Sequence, residues 1–242
     1  MSGVGEREGL PPEASALAQL KTRVVRRAVS TALPSSLLIA QGNGKASARD
    51  GTKGRPKKRL SFTFDDGPDE MTTEYLDLLD RLGVRATFFL IGKNAEKYPQ
   101  LVNEIVAAGH EVAGHGYSHR SFPTMNTQTL VDELIHTSDY LPPPVTPRAL
   151  VRPPKGDINL LSMMRVAAAG YTSVLWSRDS DDCRTFDSRD VEARLHPDKL
   201  SAGEIVLLHE GQKWTLAALP AVVDRLHEND FELTTVSDLV GL

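Results

Sequence analysis

S-F-T-F-D-D-G-P-D-E, residues 61–70, runs from an alternating apolar segment into two adjacent carboxylates and a Gly-Pro turn. With Arg59 and Leu60 the segment reads as a strand over 59–64, followed by apolar residues at helical spacing over 72–82 and a second strand, A-T-F-F-L-I, at 86–91. The alternation continues downstream. Helical patterns at 95–108, 127–138 and 157–169 lead to strands at 111–114, 149–152 and 172–176, and a long loop leads to a strand at 204–209. A helix at 215–228 and a strand at 231–236 complete the pattern. Strands that are mostly apolar throughout and separated by helices form a parallel sheet covered by helices, so the expected class is α/β. About seven strands favour a closed or nearly closed barrel, with a doubly wound open sheet as the alternative. Both architectures gather chemistry at the carboxyl edge, where strands end and loops begin.

The 242 residues are 40% hydrophobic and 25% charged, an ordinary globular composition with room for a sizeable core. Lys and Arg outnumber Asp and Glu in residues 1–60, and the reverse holds afterwards. An acidic body argues against nucleic acid as a partner. The single cysteine, Cys183, excludes an intramolecular disulfide. No apolar run is long enough for a transmembrane helix. Residues 1–58 read as a basic arm, disordered or carrying a degenerate export signal at 21–40, with a Gly- and Lys-rich linker from 41 to 58; the folded domain is expected over 59–242. The arm leaves two compartments open: secreted or cell-envelope if it is an export signal, cytoplasmic if it is not.

Residues of catalytic type do collect after the strands. Asp65 and Asp66 follow the first, H-G-Y-S-H (115–119) the third, R-P-P-K-G (152–156) the fourth, S-R-D-S-D-D-C (177–183) the fifth, and L-L-H-E (207–210) ends the sixth. His115 and His119, four apart, are expected on one side of a helical turn, as half of a divalent metal site. One of the two aspartates supplies the anionic ligand, and the other is free to take a proton from an attacking water. Taken alone, D-D-G-P is equally a turn that caps a helix. Arg152 can offer a bidentate fork to the free carboxylate. His209 can protonate a leaving group, with an aspartate such as Asp182 fixing its tautomer.

T-F-D-D-G-P, H-G-Y-S-H, R-P-P-K-G, D-S-D-D-C and L-L-H-E resemble, in order, the five motifs of the polysaccharide deacetylases, the NodB-homology domain of carbohydrate esterase family four, over about residues 59–240. The resemblance implies a distorted (β/α) barrel and metal-dependent hydrolysis of acetyl groups on N-acetylglucosamine polymers or acetylated xylan. It makes Asp65 the general base, Asp66, His115 and His119 the ligands of a divalent metal (Zn, or Co, Mn or Ni), and His209 the general acid. Arg152 would orient Asp65, Asp182 would tune His209, and Leu207 would line the pocket for the acetyl methyl.

Three positions depart from the family pattern. Lys155 stands where an aromatic residue is usual, Cys183 where tryptophan is usual, and Glu210 where aspartate often follows the histidine. The first two place substrate choice on the groove wall, with Trp176 and Trp214 as replacement sugar platforms and core packing as the competing role for Trp176. Two further readings keep the same residues: a hydrolase of small cyclic or linear amides, and a non-catalytic glycan-binding domain.

Overall fold

A computed structural model of the chain describes residues 33–42, 44 and 57–242. Residues 21–32 of the expected export signal, and most of the linker, lie outside the described residues. Nine strands form one sheet among the described residues. β1 is Leu38–Ile39, β2 Lys58–Asp65, β3 Thr87–Leu90, β4 Glu111–Gly114 and β5 Ala149–Val151. β6 is Tyr171–Val174, β7 Arg178–Asp179, β8 Ile205–His209 and β9 Phe231–Leu233. The order is β1-β6-β5-β4-β3-β2-β8-β7, every pair is parallel, and β9 adds to the start of β2. The helices are α1 (Thr72–Arg81), α2 (Gly92–Lys97), α3 (Pro99–Ala107), α4 (Thr127–Ser138), α5 (Leu160–Ala168), α6 (Ser188–Arg194), α7 (Lys213–Glu228) and α8 (Val236–Val240). The fold is the distorted barrel that the resemblance implies, with nine strands where about seven were expected, the additions including the two-residue β1 and β7.

The two-residue period of the strands decides which side chains go inside. On β2, Leu60, Phe62 and Phe64 face outward into a core shared with α1, α3, α6 and α7. Ser61, Thr63 and Asp65 take the opposite face, all buried. The rows 205-207-209 and 150-152 follow the same rule: Ile205, Leu207 and Leu150 join an inner cluster with Phe89, Ala113 and Trp176. Four of the inward rows therefore end, at the carboxyl edge, in Asp65, His115, Arg152 and His209.

Several elements differ from the sequence reading. The helix expected over 95–108 is two helices, because Pro99 begins a new one and Tyr98 between them is not helical. The last strand stops at Leu233, and Thr235 caps α8 instead. The expected start at residue 59 is also too late. Leu38 and Ile39 pair with Ser173 and Val174, Gln41 bridges Glu204 just before β8, and Leu38, Ile39 and Ala40 are buried. This upstream segment touches both β6 and the start of β8, the two sides of a seam, while β7 pairs higher up with Val206 and Leu207 of β8. Burial of three apolar side chains holds in place a strand too short to show periodicity.

Candidate active site

Asp65 ends β2, its backbone in register with Phe89 of β3 and His209 of β8. Its carboxylate is buried with Arg152, whose Nη1 donates to Oδ1 at 2.6 Å and to the Thr63 hydroxyl at 2.8 Å. The expected bidentate fork does not form. Arg152 instead directs Nε and Nη2 at the carbonyls of Val174 (3.4 Å) and Leu175 (3.5 Å). It lies over the rings of Phe89 and Trp176, with 4.0 and 5.6 Å to the centroids. A fully buried guanidinium needs all its donors satisfied, and carbonyls at the end of β6 are closer to hand than a second carboxylate oxygen. Burial pushes the Asp65 carboxyl up, against the pull of Arg152 and His209. Trp176, considered above as a sugar platform, is 8% exposed and packs beneath Arg152.

Asp66 turns away from its neighbour through a left-handed backbone, φ 75°. That single residue separates the two carboxylates that the sequence sets side by side. Asn94 of α2 donates to the Asp66 carbonyl at 2.7 Å and holds the turn. Asp66 Oδ1 lies 3.5 Å from His115 Nε2 and 3.3 Å from His119 Nε2. The histidines do not share a helical turn as expected; they sit in a loop, with Gly116 at φ 74° and His119 at φ 56° bending it. Glu133 of α4 clamps this loop, accepting from the N–H groups of Tyr117 (2.9 Å) and Ser118 (2.8 Å). His115 Nδ1 pairs with the Arg152 carbonyl at 2.8 Å, so its Nε2 carries the lone pair. Desolvation, opposed by Asp66, pushes His115 down to about 3, which keeps it neutral.

Asp66 Oδ1 is buried and has no hydrogen-bond partner. Two imidazole nitrogens and a carboxylate oxygen without a hydrogen-bond partner converge within 4.8 Å, and the His115 nitrogen among them carries a lone pair. That chemistry fits a divalent cation bound by two nitrogens and one oxygen.

The second pair lies on β8 and the loop after β7. His209 Nδ1 is 2.7 Å from Asp182 Oδ1, and Asp182 Oδ2 accepts from the His209 N–H and the Thr215 hydroxyl, each at 2.8 Å. Desolvation lowers the His209 pKa, but the bond and charge of Asp182, with Asp65 and Asp66 beyond, raise it to about 9 overall. Asp182, Cys183 and His209 also cluster within 4.8 Å. Both Asp182 oxygens are already engaged by hydrogen-bond donors, unlike Asp66 Oδ1, so this group lacks the orphaned oxygen of the first cluster.

Leu207 lies two residues before His209 on the same inward row. Lys155 is exposed on a turn with φ 61°. Cys183 is exposed; desolvation, opposed by Arg184 and assisted by three aspartates, pushes its thiol up to about 11. Trp214 is half-buried, and its indole N–H donates to the Asp182 carbonyl at 2.6 Å. Glu210 Oε1 accepts from Thr72 at 2.7 Å, and its Oε2 occupies the space where a side chain on Gly67 would begin, 1.3 Å from that Cβ position. Asn94, Thr63 and Glu133 were not singled out from the sequence. Asn94 and Glu133 are ordinary polar residues of helices, and nothing local marks what they hold.

The polysaccharide deacetylase family matches residues 52–174. A peptidoglycan-N-acetylglucosamine deacetylase of Bacillus cereus is 33% identical over 190 residues, covering 76% of this chain and 89% of that protein. A peptidoglycan-N-acetylglucosamine deacetylase of Listeria monocytogenes is 29% identical over 78% of this chain, which spans only 40% of that longer protein. The structure of a family 4 carbohydrate esterase from Streptomyces lividans, in complex with acetate, superposes with a TM-score of 0.69 at 30% identity, covering 76% of this chain and 95% of that one. The chain belongs to the polysaccharide deacetylase family.

Proposed function

We propose that the protein is a metal-dependent deacetylase acting on N-acetylglucosamine-containing polysaccharide or oligosaccharide of the peptidoglycan or chitin type. The observation that carries this reading is the convergence of both histidines on Asp66 beside an Asp65 held by Arg152: His115 and His119 direct Nε2 at Asp66 Oδ1, while Asp65 gives Oδ1 to Arg152 and keeps Oδ2 3.6 Å from His115 Nε2, at the edge of the same group. Asp66, His115 and His119 would hold a divalent cation, with zinc favoured by the donor set, which would supply Lewis acidity toward the acetyl carbonyl and the attacking water.

Asp65 takes the proton of the attacking water. Arg152 fixes the direction of that carboxylate, and burial raises its affinity for the proton. Asp182 holds His209 with Nδ1–H toward itself, leaving Nε2–H to protonate the departing amine or alkoxide. Leu207 packs against the acetyl methyl. The backbone N–H of Lys155 donates to the developing oxyanion, a role that does not depend on its side chain.

The polymer is favoured over a small cyclic amide because two of the three metal-facing side chains reach solvent, Asp66 at 42% and His119 at 32% exposed, with His115 buried beneath them. The Bacillus cereus and Listeria relatives, named for peptidoglycan, support a site of action in the cell envelope. Among the described residues no helix is long and apolar enough to cross a membrane.

The test is acetate release from peptidoglycan, chitin oligomers, acetylxylan and small cyclic amides, before and after chelation, with Asp65→Asn beside the parent. Asp65→Asn is expected to keep its metal and lose about 10²–10⁴-fold in turnover. Turnover of the variant at the parent's rate would remove Asp65 as the base, and activity untouched by chelation would remove the metal.

A further inference from the structure

The loop after β7 lacks a flat side chain at Cys183, but Phe186, three residues on, is 79% exposed. A single exposed apolar residue carries no meaning by itself. Phe186, however, is held: its ring meets Trp214 edge-on, with centroids 5.0 Å apart and planes at 74°. Trp214 is anchored in turn by its indole N–H on the carbonyl of Asp182, the residue that positions His209. An aromatic face in water is thus tied through two contacts to the group placed to protonate the leaving sugar nitrogen. Two residues before it in the same loop, the Arg184 guanidinium is 61% exposed and held by Asp179 and Asp181, so the loop also presents a planar polar donor.

We propose that Phe186, backed by Trp214, is the stacking face of a sugar subsite next to the acetylated unit on the His209 side, and that its occupant is a pyranose ring of the glycan chain. This deepens the deacetylase reading and rests on it. A pyranose presents a face of axial C–H groups that packs on a flat aromatic ring, while its equatorial hydroxyls reach laterally to polar groups such as Arg184. Trp214 cannot fill this role alone. It is half-buried against the outer core, and its polar edge is turned inward. Together the two rings move the platform from the Cys183 position to the far end of the same loop, which lengthens the groove by one ring instead of narrowing it at the acid.

The test compares two substrates in each variant: a hexamer of N-acetylglucosamine, long enough to reach the loop, and 4-nitrophenyl acetate, which reports the catalytic centre alone. The ratio of kcat/KM on hexamer to that on the ester is expected to fall about five- to tenfold in Phe186→Ala, through KM, at the strength of an aromatic contact. Phe186→Leu, apolar but without a flat face, should fall with it. Phe186→Trp should stay near the parent. An unchanged ratio in Phe186→Ala, or equal losses in the Leu and Trp variants, overturns the proposal. A change in sedimentation of Phe186→Ala with no change in the ratio would show a protein contact and overturn it too. If the parent hydrolyses neither substrate, the deacetylase reading fails separately. Hexamer titration followed by Trp214 fluorescence then decides the subsite: binding weakened in Phe186→Ala supports it, and binding equal to the parent's overturns it.

Discussion

Asp182→Asn isolates one link in the site. In the parent, Asp182 gives one oxygen to His209 Nδ1 and the other to the His209 N–H and the Thr215 hydroxyl. Asparagine has the same shape but only one acceptor oxygen. If that oxygen keeps the two donors at 2.8 Å, the amide NH₂ must face His209 Nδ1, which then needs a lone pair there. The ring becomes neutral with its proton on Nε2, and protonating it further places two donors against each other. The parent's His209 is raised from 6.5 to about 9, which corresponds to about 3 kcal/mol in favour of the imidazolium. Asparagine removes the Asp182 bond and charge, the two largest contributions that raise it, and leaves desolvation opposed only by Asp65 and Asp66.

Two measurements read the change, both on chelator-treated protein so that no cation competes. NMR titration of the imidazole should place His209 near 9 in the parent and below 6.5 in the variant. Unfolding by urea should show the pH dependence with the matching sign. A histidine whose folded pKa is raised contributes stability in full below about pH 6.5 and loses it as pH rises through about 9, so the parent's advantage over Asp182→Asn shrinks across that window. Turnover should fall about 10²–10⁴-fold. A parent His209 titrating near 6.5, or a midpoint unmoved by the substitution, would refute the reasoning.

Other outcomes follow from the same geometry. His115→Ala should lose stoichiometric metal, measured by elemental analysis of the purified protein, while retaining its far-ultraviolet circular dichroism. Cys183, with its thiol pushed up to about 11, should alkylate slowly at pH 8, and the iodoacetamide rate should keep climbing until pH exceeds 10; a plateau near pH 8.5 would contradict the desolvated setting. Leu38→Ala should cost about 2–3 kcal/mol in denaturant unfolding, because the side chain is 2% exposed within the inner cluster. No loss there would mean that β1 does not hold the seam.

The placement of Asp65, His115, Arg152 and His209 was legible because the two-residue period carries straight from the strands into their last residues. Phe62 and Phe64 on one face of β2 leave Asp65 no choice but the other. Beyond the strand ends the period stops. Whether Asp66 would swing toward His115, and whether 115–119 would coil into a turn, depended on left-handed residues and on clamps from Asn94 and Glu133, which come from helices elsewhere in the chain. The Arg152 fork failed for a similar reason, since the competing carbonyls of residues 174 and 175 belong to a different strand. β1 and β7, two residues each, have no pattern to read; their partners define them.

The short strand at residues 38–39 also bears on the order of events during synthesis. Its partners are residues 173 and 174, so the N-terminal side of the seam cannot close until most of the barrel has been made. Until then Leu38, Ile39 and Ala40 remain an apolar handle at the front of a growing chain, available to a chaperone. The same reach makes the seam sensitive to trimming. Starting the protein at its first recognisable motif would remove a plug that the motifs themselves do not announce, leaving apolar surface of Val174 and Ile205 facing water on an otherwise complete active site.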